Sequence, residues 1–141
     1  PQARLAIGTA AAVISRTALN ATLEYVKERK VFGSRVADFQ NTRFELANAL
    51  MNTELSELYV ARAIAAFNAG ELTAEDAAKA KVFASEKACT ITDRCLQLFG
   101  GYGYINEHPV AQAFLAARLL PIFGGTNELL RDSIGFDLLA E

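Results

Sequence analysis

Apolar residues recur along this chain at the three- and four-residue spacing of helices, with a few sharp interruptions. Over residues 3–30, Leu5, Ala12, Ala18 and Tyr25 stand among Ile7, Ile14 and Ala21, which makes the first helix apolar on more than one side, as a buried helix is. Ala10, Ala11 and Ala12 add small side chains that let a neighbouring backbone come close. Lys27-Glu28-Arg29-Lys30 closes the helix with positive charge where the macrodipole favours it. After a short connection over residues 31–35, Asp38 is the expected N-cap of a second helix over residues 39–68. Its apolar positions are Phe44, Ala47, Leu50, Met51, Leu55, Leu58, Tyr59 and Ile64, and Asn68-Ala69-Gly70 signals its end. Thr73 caps a third long helix, with Glu75 and Asp76 in its first turn and Phe83, Ala84, Ala88, Ile91, Cys95 and Leu98 along it. That helix runs into residues 97–104, Gln-Leu-Phe-Gly-Gly-Tyr-Gly-Tyr, the least helix-compatible stretch of the chain. A shorter helix over residues 110–117, a proline-broken apolar run at 119–123 and the Gly124-Gly125 elbow follow. Thr126 then caps a last helix reaching Leu139. No strand-length alternation stands out, and the predicted fold is all-α, an antiparallel up-and-down four-helix bundle with an additional short terminal helix. The three long helices exceed the usual globular length, so each is expected to stack on a partner subunit or on further domains as well.

Composition narrows the function classes. With 141 residues, 52% of them hydrophobic, the chain is one domain with a sizeable core. The net charge of -2 divides mildly, eight Lys/Arg against six Asp/Glu in residues 1–70 and six against ten in residues 71–141. No broad basic surface for nucleic acid follows, while a local positive pocket for a phosphorylated small molecule remains compatible. No signal peptide and no apolar run long enough to cross a membrane is present. Pro1 in place of an initiator methionine suggests a piece of a longer protein. Cys89 and Cys95 are six apart on one helix, about 600° of rotation, so they face different ways and suit a reducing compartment, cytoplasmic or the mitochondrial matrix.

The chemistry-bearing residues are scattered. His108, the single histidine, sits beside Pro109 and reads as structural. No Glu-x-x-His pair points to a metal, and the glycines neither follow strands nor carry a P-loop lysine. Glycines at 100, 101 and 103 suit either a helix stop with Tyr102 and Tyr104 folded over its end or close approach by a ligand. Arg29 is either a solvated helix-end charge or a bidentate fork for a phosphate. Gln40 and Gln97 can each meet an adenine, ribose or amide edge. Thr126 is a helix cap whose hydroxyl, with the free N–H groups around it, can also hold a phosphate or the polar edge of a flavin.

One set of motifs is specific. Tyr25-Val26-Lys27-Glu28-Arg29-Lys30-Val31-Phe32-Gly33, then Phe39-Gln40 and Arg43-Phe44, resembles the Y-x-x-x-R-x-x-F-G … F-Q … R-F signature of the acyl-CoA dehydrogenase family. Residues 97–104, Glu107-His108-Pro109-Val110 and Pro121-Ile122-Phe123-Gly124-Gly125-Thr126-Asn127-Glu128 resemble its later motifs in the same order. The resemblance covers nearly all of residues 1–141 and only the family's C-terminal helical domain, implying that its N-terminal helical and middle β domains lie outside this chain. It implies a homo-oligomer, dimer or tetramer, with FAD lying between domains and across a dimer interface. It also implies oxidation of an acyl-CoA thioester to the trans-2-enoyl-CoA, a glutamate taking the α proton while a hydride passes to the flavin, and transfer of electrons to an electron-transfer flavoprotein. By position, Arg29 resembles the arginine that holds the FAD pyrophosphate of the neighbouring subunit, with Phe32 and Gln40 near the same dinucleotide. Gln97, Gly100 and Gly101 match the stretch that meets the adenosine part, Thr126 and Glu128 match residues near the flavin and its arm, and Arg4 matches an arginine beside the substrate.

The chain departs from that family where the base should be. Most members carry the glutamate immediately before the Gly-Thr pair, where this sequence has Gly124. The long-chain and isovaleryl group keeps glycine there and places the glutamate just before the Arg-Leu pair of the first helix, where this sequence has Ala3. Ala116 is a further departure from the aspartate usual before that Ala-Arg pair. Two readings stand: the C-terminal domain of a dehydrogenase nearest the long-chain and isovaleryl group, or a catalytically silent flavin- and acyl-CoA-binding homologue. The chain by itself is expected to be inactive and to self-associate.

Overall fold

A computed structural model describes residues 1–140. Five helices dominate, α1 (Gln2–Glu28), α2 (Gln40–Asn68), α3 (Ala74–Phe99), α4 (Pro109–Leu119) and α5 (Asn127–Ala140). The core contacts give their directions. Ala18 and Leu19 of α1 share a cluster with Ala49 of α2 and with Ile91 and Cys95 of α3, whereas Ile7 clusters with Val60 and Ala84, and Leu5 with Ala63 and Ala80. Numbering thus rises together in α1 and α3 and falls in α2, and Val110 against Ala117 and Leu120 shows α4 running with α2. The result is the expected up-and-down antiparallel bundle, completed by α5 packing Leu130 against Ala78 and Val82 of α3.

Small side chains set the spacing. α1 presents Gly8, Ala11, Ala12 and Ser15 inward, α3 presents Ala77, Ala80, Ala84 and Ala88, and all of these are buried. A methyl group added at Gly8 would already touch the α3 backbone at Ala80 and Lys81, at 3.5 Å. Buried hydroxyls do not oppose this approach, because each returns its proton to its own helix: Ser15 to Ala11 O (2.9 Å), Thr22 to Ala18 O (2.7 Å), Thr53 to Ala49 O (2.8 Å) and Thr92 to Ala88 O (2.8 Å). A hydroxyl satisfied within its own turn needs no partner across the interface.

The second helix faces the other way from its expected orientation. Its buried face is Thr42, Ala49, Thr53, Ser56, Val60 and Ala63, while Phe44, Met51, Leu55 and Leu58 are 59%, 55%, 53% and 68% exposed. Both faces carry helical periodicity, and the larger side chains mark the outer one. Only the tight α1–α3 pair, which admits small residues, decides which face turns inward.

Two connections also differ from expectation. The link after α1 is a hairpin, β1 (Lys30–Val31) antiparallel to β2 (Ser34–Arg35), with Lys30 opposite Arg35 and Val31 opposite Ser34. Its two turn residues, Phe32 and Gly33, both have positive φ, 52° and 80°, as the type I′ turn of a two-residue hairpin requires. Strands of two residues are too short to leave an alternation in the sequence. Asp38 does not cap α2; it accepts from the backbone N–H of Arg35 (3.1 Å) and from its guanidinium (2.8 Å) within the single turn Val36–Asp38. Thr73 caps α3 as expected, accepting from Asp76 N at 2.9 Å and donating to the Asp76 carboxylate at 2.8 Å. Cys95 is buried, Cys89 partly so, and both are free. Among the described residues no helix is long and apolar enough to cross a membrane.

Two predictions follow from this packing. The chain alone self-associates at micromolar concentration through the outer face of α2, and Leu55→Glu with Leu58→Glu converts it to a monomer in sedimentation velocity. Because both side chains are more than half exposed, each substitution changes stability by about 0.5 kcal/mol or less. Secondly, the Arg131 guanidinium holds the Glu86 carboxyl below the usual glutamate range, tying α5 to α3. A carboxylate with a lowered folded pKa stabilises above its unfolded pKa and loses that contribution as pH falls through the folded value. Glu86→Gln therefore unfolds more easily at neutral pH, by about 1 kcal/mol or less for a pair this exposed, and converges with the wild type in acid, as urea titrations at several pH values will show.

Candidate functional site

The residues singled out by sequence fall into two groups at opposite ends of α1. Arg29 ends that helix and Arg4 begins it, about 37 Å apart at the helical rise of 1.5 Å per residue.

At the Arg29 end, an open groove of about 570 Å³ brings together Arg29, Gln97, Gly100 and Gly101, together with Tyr25 and Tyr102. Arg29 leaves the helix in an extended conformation, its N–H still bonded to Tyr25 O (2.9 Å) and its guanidinium carbon 5.1 Å from the centre of the Tyr102 ring. Stacked on one ring, the planar fork keeps most of its donors free for an anion. The three glycines separate by role. Gly100, at φ 62°, ends α3, and neither it nor Gly101 has a protein atom within 4 Å of where a side chain would begin. Gly103 is glycine for packing, since a methyl group there would lie 2.7 Å from Leu96 O and 2.9 Å from Phe99 Cβ. Backbone exposed at 100 and 101 is thus the part available to a ligand.

An aromatic cluster supports the groove. Tyr25 stacks on Phe99 at 4.1 Å and donates its hydroxyl to Phe99 O at 3.3 Å. His108 wedges against Tyr25, Phe99 and Tyr102 with ring centres 5.7–6.4 Å away, a structural position in keeping with its sequence reading. Phe32 and Gln40 do not line the groove: Phe32 is 98% exposed at the hairpin tip, and Gln40 is the exposed first residue of α2.

At the other end, Ala3 and Arg4 open α1, and the Gly124-Gly125 elbow folds against that helix. Gly124 and Gly125 have φ of 70° and 92°, and a side chain at 124 would begin 2.2 Å from Ile7 Cδ1. Residue 3 lies one turn before Ile7 and so shares its helix face. Thr126 receives the N–H of Leu129 only at 3.4 Å, a weak cap, and Glu128 is exposed beside it.

Lys81 and Asn127 are the residues the sequence reading missed. Lys81 is fully buried, yet its ammonium donates to Gly125 O at 2.9 Å and to Asn127 Oδ1 at 2.7 Å. The Asn127 amide donates in turn to Ser85 Oγ (3.0 Å) and to Glu86 (3.2 Å), and its backbone N–H to Pro121 O (2.9 Å). Burial pushes the Lys81 ammonium below the usual lysine range, opposed by the charge of Glu128. The signal was present: Lys81 lies in phase with Ala77, Ala84, Ala88 and Ile91, a cation within the apolar stripe of α3.

Residues 1–139 match the family described as acyl-CoA dehydrogenase, C-terminal domain. The long-chain specific acyl-CoA dehydrogenase of Rattus norvegicus mitochondria is 35% identical over 141 residues, which is 100% of this chain and 33% of that protein. The butyryl-CoA dehydrogenase structure from Megasphaera elsdenii superposes with a TM-score of 0.93 at 37% identity, covering 96% of this chain and 36% of the other. A glutaryl-CoA dehydrogenase structure does so with 0.93 at 28% identity, covering 98% and 35%. The chain spans about a third of the length of these relatives, and their chain-length classes are mixed. Matched along its whole described length in sequence and in fold, the chain belongs to the acyl-CoA dehydrogenase family, in the region of its C-terminal helical domain.

Proposed function

We propose that this chain is the C-terminal, oligomerising domain of a larger flavoprotein, and that it helps to build a FAD- and acyl-CoA-binding site without supplying the base. The N-terminal helical and middle β domains of that parent lie outside residues 1–141. The observation that carries the reading is that Gly124 packs on Ile7, one helical turn after Ala3, at one end of the bundle. The two places where the family keeps its glutamate lie at this same end of the bundle, and both are without a carboxylate. Ile7 fills the space that a side chain at 124 would need, which supports a reading of the chain nearest the long-chain and isovaleryl pattern, with residue 3 as the vacant base position.

The groove fits an adenosine diphosphate arm: a guanidinium fork at Arg29, an amide at Gln97, and bare backbone at Gly100 and Gly101. When bound, FAD supplies a two-electron acceptor for the α,β bond of an acyl-CoA. Thr126 and Glu128 at the elbow serve the flavin side, and Arg4 the thioester. A flavin dinucleotide is far shorter than the distance of about 37 Å between Arg29 and Arg4, so on this reading each cofactor takes contacts from two copies. Phe32 and Gln40, outside the groove of their own chain, then approach the dinucleotide held by a neighbour. The exposed apolar face of α2 supplies the burial that holds a dimer or tetramer together.

Dehydrogenation with the base supplied from outside this chain is the second reading, favoured by the ordered motifs around both groups of residues. It adds an electron-transfer flavoprotein as partner, and either reading suits a cytoplasmic or mitochondrial-matrix protein.

An α proton beside a thioester leaves only when a base stands close and desolvated. In the parent protein, acyl-CoA therefore perturbs the flavin spectrum without bleaching it, and Ala3→Glu gains bleaching by about a hundredfold or more, the range of a positioned general base. Rapid bleaching by the native protein would overturn the silent reading in favour of the second. Gly124→Glu gives no such gain and destabilises by about 1–3 kcal/mol, from a positive φ and the contact with Ile7, measured by thermal unfolding. Arg29→Ala weakens FAD retention by about tenfold or more, as expected for a lost charged hydrogen bond; unchanged retention in equilibrium dialysis would leave the groove a structural feature only.

A further inference from the structure

Lys81 is a buried ammonium with no carboxylate within salt-bridge distance among the described residues. It donates to two oxygens, Gly125 O in the connection between α4 and α5 and Asn127 Oδ1 at the first residue of α5. Taking a charge out of water costs several kcal/mol even after relaxation, and a methionine of similar volume would avoid that cost. In some proteins a buried charge held against such a penalty specifies geometry rather than stability.

The geometry in question is that of the elbow. Gly124 and Gly125 both have positive φ, a region open to glycine but not preferred over the many others it can visit. Local ties are few: Asn127 N–H to Pro121 O closes the loop at its base, and the Thr126 cap is long at 3.4 Å. Lys81 adds the tie that reaches the glycines themselves, since it draws the Gly125 carbonyl inward against α3. It also orients Asn127, whose amide is then fixed by Ser85 and Glu86, and Glu86 in turn holds Arg131 of α5. On the opposite side, Gly8 lets the α3 backbone at Lys81 lie directly on α1, at the residue next to Ile7 and five positions after residue 3. One side chain thus ties the elbow to α3, the helix that packs on α1, which carries the other edge of the same site.

We infer that Lys81 is a positioning residue: through Gly125 and Asn127 it holds the Gly124-Gly125 elbow in one conformation against α1, and so shapes the edge where the acyl thioester and the flavin meet. The role rests on the proposed function only in its second half, since the elbow's conformation can be read independently of any ligand.

The test uses the whole protein that contains this chain, loaded with FAD, as wild type, Lys81→Met and Asn127→Ala. Amide exchange is followed by mass spectrometry over residues 121–128, with residues 84–92 of α3 as internal reference, and saturated acyl-CoA is titrated against the flavin spectrum. Lys81→Met is expected to speed elbow exchange by about tenfold or more while the α3 reference holds, and to weaken acyl-CoA binding by about tenfold with FAD content unchanged. Asn127→Ala, which keeps the bond to Gly125, should move both readings the same way by less, and it decides the matter should Lys81→Met not fold. Elbow exchange at the wild-type rate overturns the inference, and so does a loosened elbow with unaltered acyl-CoA affinity, which would make Lys81 a structural tie only. A wild-type protein without flavin or without any spectral response to acyl-CoA would instead remove the functional reading, and elbow exchange would then decide the role of Lys81 by itself.

Discussion

The close approach of α1 and α3 is the contact on which the rest of this fold depends. Two parallel helices at diagonal corners of an up-and-down bundle usually stand apart, separated by the side chains of all four helices. Here Gly8, Ala11 and Ser15 meet Ala80, Ala84 and Ala88, and the two backbones lie almost in contact. A core this thin has little room for large side chains, and those that remain are pushed outward to the flanking helices. The apolar outer face of α2 is the direct consequence, and a domain built in this way is suited to burying that face in an assembly.

The same contact sets the two ends of the bundle. Toward the start of α1 it lays Lys81 beside Gly8 and lets the α4–α5 elbow fold over Ile7, bringing residues distant in sequence into one corner. Toward the other end, α3 finishes at Gly100 next to the last turn of α1, where Tyr25 stacks on Phe99 and Arg29 reaches the Tyr102 ring. A rigid pair of helices therefore holds two sets of polar groups at a fixed separation. On the proposed function, one copy cannot close that gap around a dinucleotide whereas two copies related by symmetry can, so that oligomer formation and cofactor binding would be parts of one design.

Chemistry at the elbow is decided by what is missing. Ile7 and a positive φ make position 124 a poor place for a carboxylate, while residue 3, exposed on the first turn of α1, is free to carry any side chain and carries alanine. On the proposed function, the absence of a carboxyl at this exposed helix start leaves packing untouched, so a scaffold for binding is compatible with lack of the reaction. Fold and family are for that reason poor guides to activity in this chain, and the two must be argued from different residues.

The all-α architecture was legible in the residue pattern, as were the long helices, the Thr73 cap and the breaks at residues 70, 100 and 124, because local propensity, capping and glycine punctuation act over a few residues. The motif positions Arg29, Gln97, Gly100 and Gly101 were legible too, and they converge on one groove. Which face of α2 turns inward was not, since Phe44, Met51, Leu55 and Leu58 are as periodic as the small residues that are buried, and hydrophobicity alone favours the wrong face. Lys81 was legible as a cation in the apolar stripe of α3, but its pairing with Gly125 and Asn127, more than forty positions away, was not, nor was the hairpin at residues 30–35, too short to leave a pattern. Periodicity in a chain says that a helix has faces; only the packing of α1 on α3, through the size of what fits between them, says which face is the core and which is left for another molecule.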